Sequence, residues 1–308
     1  MNKVTVRVPA SSANLGSGFD SLGIALNLYN YVTVAKRPNG LKINIKGEFT
    51  EGIPKDENNL VFRAIKFVAE KAQTDLPGLE ITLTNHIPPS RGLGSSSAGI
   101  VGGIVAANAL FGNPFKKSEL IDFAAEIEGH PDNIAPAITG GFVSCVYKRG
   151  KVRYISSPLK DDLNFAAFVP DFYLRTKKAR SVLPKLVHFK DAVFNISRSA
   201  LLTASLITGD YSNLRSAVDD RIHQNYRKRL IPDYDVIFRL AYRNGALGVF
   251  ISGAGPTLLA MVRATNLDFS SKVSRMLNKR PAHWKLKMLK ADNCGAILID
   301  EEETEIEN

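Results

Sequence analysis

The chain has 308 residues, 44% hydrophobic and 23% charged, so it is long enough for two cores and is neither disordered nor fibrous in composition. Its net charge of +10 admits an anionic partner, either nucleic acid or a small anionic substrate. The basic excess is greatest over residues 171–230, with 12 Lys/Arg against 5 Asp/Glu, but aromatics are not interleaved there in a stacking pattern, which argues against nucleic acid.

In chain order, residues 3–10, 30–37 and 41–49 alternate with period two and predict strands. Residues 58–72 carry helical spacing with Leu60, Ala64, Phe67 and Val68 on one side. Residues 79–88 predict another strand. A glycine- and serine-rich segment follows, and then an apolar helix over Ala98–Gly112 that is too short and too glycine-broken to span a membrane. A second helix is predicted over 116–130, with Ser118 as its N-cap. Residues 140–158 read as two strands around a turn.

The pattern restarts near Leu163 with a strand, so a domain boundary is expected near 160, giving domains 1–160 and 161–308. A helix that Pro184 stops follows, then several helices through Tyr242. Residues 246–262 read as strand, tight turn, then strand or helix, and residues 284–300 as two strands. The tail 301–308 is acidic and is predicted to be unstructured. Strands and helices mix in both halves without a regular βα series, so the fold class is α+β. The N-terminus lacks the apolar core of a signal peptide, and Cys145 and Cys294 lie far apart without metal-ligand spacing; together these favour a reducing, cytoplasmic location.

The segment Pro88, Pro89, Ser90, Arg91, Gly92, Leu93, Gly94, Ser95, Ser96, Ser97, Ala98 carries the strongest chemical signal. Glycines ahead of a helix let backbone close around an anion without Cβ clashes. The helix N-terminus presents unpaired N–H groups and partial positive charge. Serine hydroxyls add oxygens for phosphate or magnesium. One serine would suffice as an N-cap, so three point to a phosphate cradle. It is neither a P-loop nor a dinucleotide fingerprint.

Residues 88–98 resemble the second motif of the GHMP small-molecule kinases. Residues 9–26, "PASSANLGSGFDSLGIAL", resemble that family's first motif in the form found in its homoserine-phosphorylating members. Residues 128–142, "EGHPDNIAPAITGGF", resemble the segment that sets those members apart, and "ISGAGPT" at 251–257 resembles the third, glycine-rich motif. The resemblance implies a ribosomal-protein-like N-terminal ATP-binding domain and a ferredoxin-like C-terminal domain. It also implies transfer of the ATP γ-phosphate to the side-chain hydroxyl of L-homoserine, a step toward threonine. Mevalonate kinase is the nearest alternative within the family, but mevalonate has no amine.

Phosphoryl transfer asks for positioning and charge neutralisation. A magnesium site would take a serine hydroxyl and a carboxylate; Ser96 is chosen, with Ser95 and Ser97 open. Glu126 is chosen over Glu128, because Glu126 and His130 share a face if the helix extends that far. By resemblance, Asp20 receives the substrate ammonium, and Arg180 and Arg227 the carboxylate. Asn14 and His130 are further contacts. Asn133 stands where several relatives carry an Asp, so no dedicated base is expected, although Asp132 is adjacent. No nucleic acid or membrane partner is expected, and the oligomeric state is left open, a homodimer included.

Overall fold

The computed structural model describes residues 2–277 and 283–299; the acidic tail at 301–308 lies outside them. The chain runs β1 (Lys3–Ala13), β2 (Leu22–Arg37), β3 (Leu41–Gly47), α1 (Leu60–Lys71), β4 (Gly78–Asn85), α2 (Ser95–Leu110), α3 (Lys117–Glu128), α4 (Ile134–Thr139), β5 (Phe142–Lys148) and β6 (Lys151–Ser157). It continues through β7 (Leu163–Pro170), α5 (Thr176–Ser181), α6 (Phe189–Thr208), α7 (Leu214–Ala217), α8 (Gln224–Arg227), α9 (Tyr234–Arg243), β8 (Ala246–Ile251), β9 (Leu258–Arg263), α10 (Phe269–Leu277), β10 (Trp284–Lys290) and β11 (Ile297–Ile299).

The first sheet has the order β11-β1-β2-β4-β3, and β5 and β6 extend it from the start of β2. Val4, Val6 and Val8 on one face of β1 enter the core, and the other face is covered too, so that Thr5, Ser11 and Ser12 are also buried. β3 and β4 are parallel, which forces the crossover that α1 supplies. The second sheet has the antiparallel order β10-β7-β9-β8, the ferredoxin-like arrangement of two βαβ halves. Residues 246–262 are thus strand, turn, strand. The chain changes sheet between Ser157 and Leu163, but β11 returns to pair with β1. A single cut at 160 therefore divides the sequence without dividing the sheets. The two crossings are joined by a reciprocal amide pair, in which Leu159 N–H donates to Asn293 Oδ1 and Asn293 Nδ2 donates to the Leu159 carbonyl, both at 2.9 Å.

α2 is apolar on every side because it is covered on every side, by β1 and β2 beneath and by α1, α3 and α4 around it. Burying each of Ile100, Val101 and Ile104 contributes about 1.5–3 kcal/mol. α1 starts after Asn59, whose Oδ1 accepts from Val61 N–H at 2.9 Å. Its buried stripe is Val61, Ala64, Ile65 and Val68, one residue round from the expected face, and Leu60 is exposed. α3 starts before the expected cap: Glu119 Oε2 accepts from Lys116 N–H at 3.0 Å, and Ser118 lies inside the helix. No helix among the described residues is long and apolar enough to cross a membrane.

Of two α2 glycines that face α1, one sets the distance between the helices. A Cβ on Gly103 would lie 2.7 Å from the Val61 carbonyl oxygen, whereas one on Gly99 would meet only Val61 Cγ2 at 3.6 Å. Gly103→Ala should therefore destabilise by about 1–3 kcal/mol, and Gly99→Ala should be neutral or stabilising by up to about 1 kcal/mol. Urea melts of the two variants check this. Equal effects would mean that the helix spacing is not set at Gly103.

Candidate active site

Three loops meet above α2. Residues 14–20 leave β1 with Asn14, Leu15 and Asp20 all at positive φ, a course that non-glycine residues adopt only when held. Asn14 does much of the holding. Its Oδ1 accepts from Asp20 N–H at 2.9 Å, and its Nδ2 donates to the Gly253 carbonyl at 2.8 Å. The turn after β8 supports the loop before α2: buried Ser252 donates from Oγ to the Gly92 carbonyl at 2.5 Å, and Thr257 N–H donates to the Arg91 carbonyl.

Gly92 and Gly94 both have positive φ, and a Cβ on either would overlap a neighbour, the Ser252 carbonyl or Ser11 Oγ respectively. α2 begins at Ser95, earlier than its apolar run suggested, so all three serines lie in the first turn. Ala98 N–H makes the first intrahelical bond, to Gly94 O at 2.8 Å, so the N–H groups of Ser95, Ser96 and Ser97 precede the helical ladder. Ser90, Gly92, Gly94, Ser95, Ser96 and Ser97 line the cleft. The rest of the segment has other work. Leu93 and Ala98 are fully buried in the core. Pro88 lies beside Arg91 on a separate surface pocket. Arg91 does not face the phosphate loop, because Nε, Nη1 and Nη2 donate to the carbonyls of Pro170, Pro89 and Asp171.

Glu126, the expected carboxylate, does not enter the cleft. α3 ends at Glu128 and Gly129 turns it off at φ 89°, so the shared face with His130 never forms. Glu126 is half-exposed and lies 3.6 Å from Lys71 Nζ. Glu128 instead enters the cleft, where it accepts from Ser96 Oγ at 3.2 Å and from Ser97 Oγ at 3.0 Å. Burial pushes its carboxyl pKa above the ordinary value, despite nearby His130 and the two hydroxyls. Among the described residues no group of three or more His, Cys, Asp and Glu side chains could hold a metal. The oxygens of Ser96, Ser97 and Glu128 still form a hard donor set of the kind magnesium takes beside phosphate.

The opposite wall carries charge. Arg180 donates to both carboxylate oxygens of Asp20, at 2.8 and 3.1 Å, so these two expected substrate contacts pair with each other. Arg227 is 1% exposed. Its Nε donates to the Ala179 carbonyl at 3.3 Å and its Nη1 to the Gly253 carbonyl at 2.9 Å, yet it borders the cleft. Burial draws its pKa down to about 10, which still leaves it charged at neutral pH. His130 Nδ1 lies 3.3 Å from Asp132 Oδ1, and this neighbour raises the imidazole pKa. Asn133 accepts from Ser11 Oγ at 3.0 Å, which fixes its amide at the cleft. Ser11 and Gly253 lie within the first and third sequence motifs, but neither was singled out, since one acts from a strand and the other through its backbone carbonyl.

Beside the serine turn lies a second pocket of about 340 Å³, more apolar, formed by Ile53, Pro54, Val61, Leu83 and Pro89 and sharing Ser90, Ser95 and Ser96 with the cleft. An apolar slot, an anion-binding helix start and a charged acceptor wall in sequence make a site of the phosphotransferase type.

Models of two GHMP kinase regions match the chain, the N terminal domain at residues 59–141 and the C terminal region at 201–281. A homoserine kinase of Caldicellulosiruptor saccharolyticus is 48% identical over 298 residues, covering 96% of each chain. One from Clostridium botulinum is 45% identical, covering 96% of this chain and 98% of the relative. The crystal structure of homoserine kinase from Cytophaga hutchinsonii superposes with TM-score 0.88 at 30% identity, covering 97% of this chain and 98% of that one. The Methanococcus jannaschii mevalonate kinase, at TM-score 0.68 and 15% identity over 93% and 98% of the two chains, shares the fold alone. The chain belongs to the GHMP kinases and, within them, to the homoserine kinase family.

Glu128→Gln should lower kcat by about 100-fold, as removal of one electrostatic stabiliser does, while Glu126→Gln should change it little. Stability should move the other way. Because the folded-state pKa of Glu128 is raised, the ionised carboxylate disfavours folding above that pKa. Glu128→Gln should therefore raise Tm at pH 7, and the gain should vanish below the ordinary carboxylate pKa of 4.5. Kinetics and melting curves at both pH values check both halves. A loss of activity in Glu126→Gln alone would restore the original choice.

Proposed function

We propose that this chain transfers the γ-phosphoryl group of ATP to the side-chain hydroxyl of L-homoserine. The observation that carries this reading is the cleft itself, with the Asp20–Arg180 pair and Arg227 facing the first turn of α2. ATP places its nucleoside in the apolar pocket and its phosphates on the N–H groups and hydroxyls of Ser95, Ser96 and Ser97. Ser96 and Glu128 are the residues that would hold magnesium, which when bound neutralises phosphate charge.

Homoserine is a zwitterion, and the Asp20–Arg180 pair is what a zwitterion can exchange with. Its ammonium takes Asp20, and its carboxylate takes Arg180 and Arg227. Mevalonate, lacking an amine, would offer Asp20 nothing in exchange for Arg180. Asn133 and Asn14 fix polar groups around the acceptor, beside His130, whose imidazole pKa Asp132 raises. An amide accepts no proton at neutral pH, and the hydroxyl proton passes to the transferred phosphoryl group, because a loose transition state makes little demand for a base. The unpaired thiols of Cys145 and Cys294 support a reducing, cytoplasmic location. The exposed apolar residues Phe189, Val193, Ile196 and Ile207 of α6 support a homodimer, to be checked by light scattering.

A coupled ADP-release assay with homoserine, mevalonate, shikimate and galactose tests the assignment; turnover with mevalonate but not homoserine would overturn it. Asp20→Asn exchanges a charge-assisted contact worth about 1.5–3 kcal/mol, so kcat/KM for homoserine should fall about 10- to 150-fold. An acceptor lacking the amine should lose little further, and ATP affinity should hold.

A further inference from the structure

His223 lies outside the cleft and is fully buried, yet it touches two of the elements that build it. Its Nδ1 is 3.2 Å from Arg227 Nη1 and its Nε2 is 2.7 Å from the Gly16 carbonyl. A guanidinium only donates, so Nδ1 must accept. The proton is then on Nε2, which donates to Gly16. One tautomer satisfies both contacts, whereas the imidazolium would set an N–H donor on Nδ1 against the Arg227 donor.

The surroundings enforce that state. Phe19 stacks on the ring at 5.1 Å. Asp220, the nearest carboxylate at 3.8 Å from Nε2, is already engaged by four donors: Asn195 Nδ2 and the N–H groups of Ile222, His223 and Gln224. Arg227 and, across Phe19, Asp20 are the other charged neighbours. Burial, the largest influence, holds the imidazole pKa down at about 4. Arg227 for its part spends Nε and Nη1 on Ala179, Gly253 and His223, so among the described residues Nη2 is the guanidinium nitrogen without a hydrogen bond.

We propose that His223 is a positioning residue for the acceptor's carboxylate: a neutral Nε2–H imidazole that fixes Arg227 in the orientation that turns Nη2 to the cleft and ties it to the loop bearing Asp20. This rests on the acceptor reading given above. His223 sets the spacing between the carboxylate contact and the ammonium contact, and that spacing distinguishes an α-amino acid from other hydroxylated anions.

The test compares His223→Leu, His223→Asn and His223→Gln by steady-state kinetics with L-homoserine, with its carboxamide analogue and with varied ATP. Leu removes both contacts. Asn can place Oδ1 where Nδ1 accepts from Arg227, and Gln can place its amide nitrogen near Gly16. A misplaced contact of this kind costs up to about 100-fold, so KM for homoserine should rise about 10- to 100-fold in the Leu variant while KM for ATP stays within about twofold. The loss should shrink severalfold with the carboxamide, and Asn should recover more than Gln. Equal changes in both KM values, an undiminished loss with the carboxamide, or Gln matching Asn would each overturn the proposal. Should the Leu variant fail to fold, the order of Asn and Gln decides. Failure of the wild-type protein to phosphorylate homoserine would instead overturn the acceptor reading, so the two failures are distinct.

Discussion

The carbonyl oxygen of Gly253 is the point on which the site turns. It accepts from Asn14 and from Arg227, one from each side of the cleft. A buried carbonyl has two lone pairs to satisfy, and here each is used to fix a different wall. The same turn steadies the phosphate loop through Ser252 and Gly92. The three glycine-bearing loops are irregular backbone that neither sheet could satisfy, and each completes the hydrogen bonding of the others. This explains why they lie far apart in sequence and close together in space.

Charge is distributed in the cleft according to what must move. Asp20 and Arg180 form a bidentate pair, but both side chains are more than a third exposed. Pairs so placed hold together by about 0–1 kcal/mol, so this pair can be exchanged for other charged partners at small cost. Arg227 is buried and tied to backbone carbonyls, and acts as a fixed charge. Glu128 carries a desolvated carboxylate against the hydroxyls of the α2 turn, a local instability that a cation or a polyphosphate complex would relieve.

Much of this was legible in the sequence because glycine, serine and proline write loop geometry directly. The tight glycine loop ahead of α2 could be read from residues 88–98, and the α+β class from the mixed strand and helix periods. What escaped reading depended on one-residue choices. Glu126 and Glu128 differ only in which side of a terminating helix they leave, and the stop at Gly129 decides it. Arg91 falls inside the segment 88–98, but its partners, the carbonyls of Pro170 and Asp171, come from a strand end 79 residues or more away. Asp20 and Arg180 were each legible, whereas their pairing across 160 residues was not. His223 sits only four residues before Arg227, yet its role depends on a carbonyl 207 residues distant.

The amide of Asn293 bonded to Leu159 gives the fold a property that neither sheet has alone. The second sheet is an insertion in the first, entered and left by two strands of chain, and Asn293 staples those two strands side by side. Two separated connections would define an axis and allow a hinge about it. Two fused ones behave as a short double-ply strap, stiff to shear and to twist. The two sheets also share one buried core, in which Phe165 and Leu259 of the second join Val6 and Ile24 of the first, so the strap adds to a junction that is already packed. The strap closes that junction at the place where the chain itself crosses between the sheets.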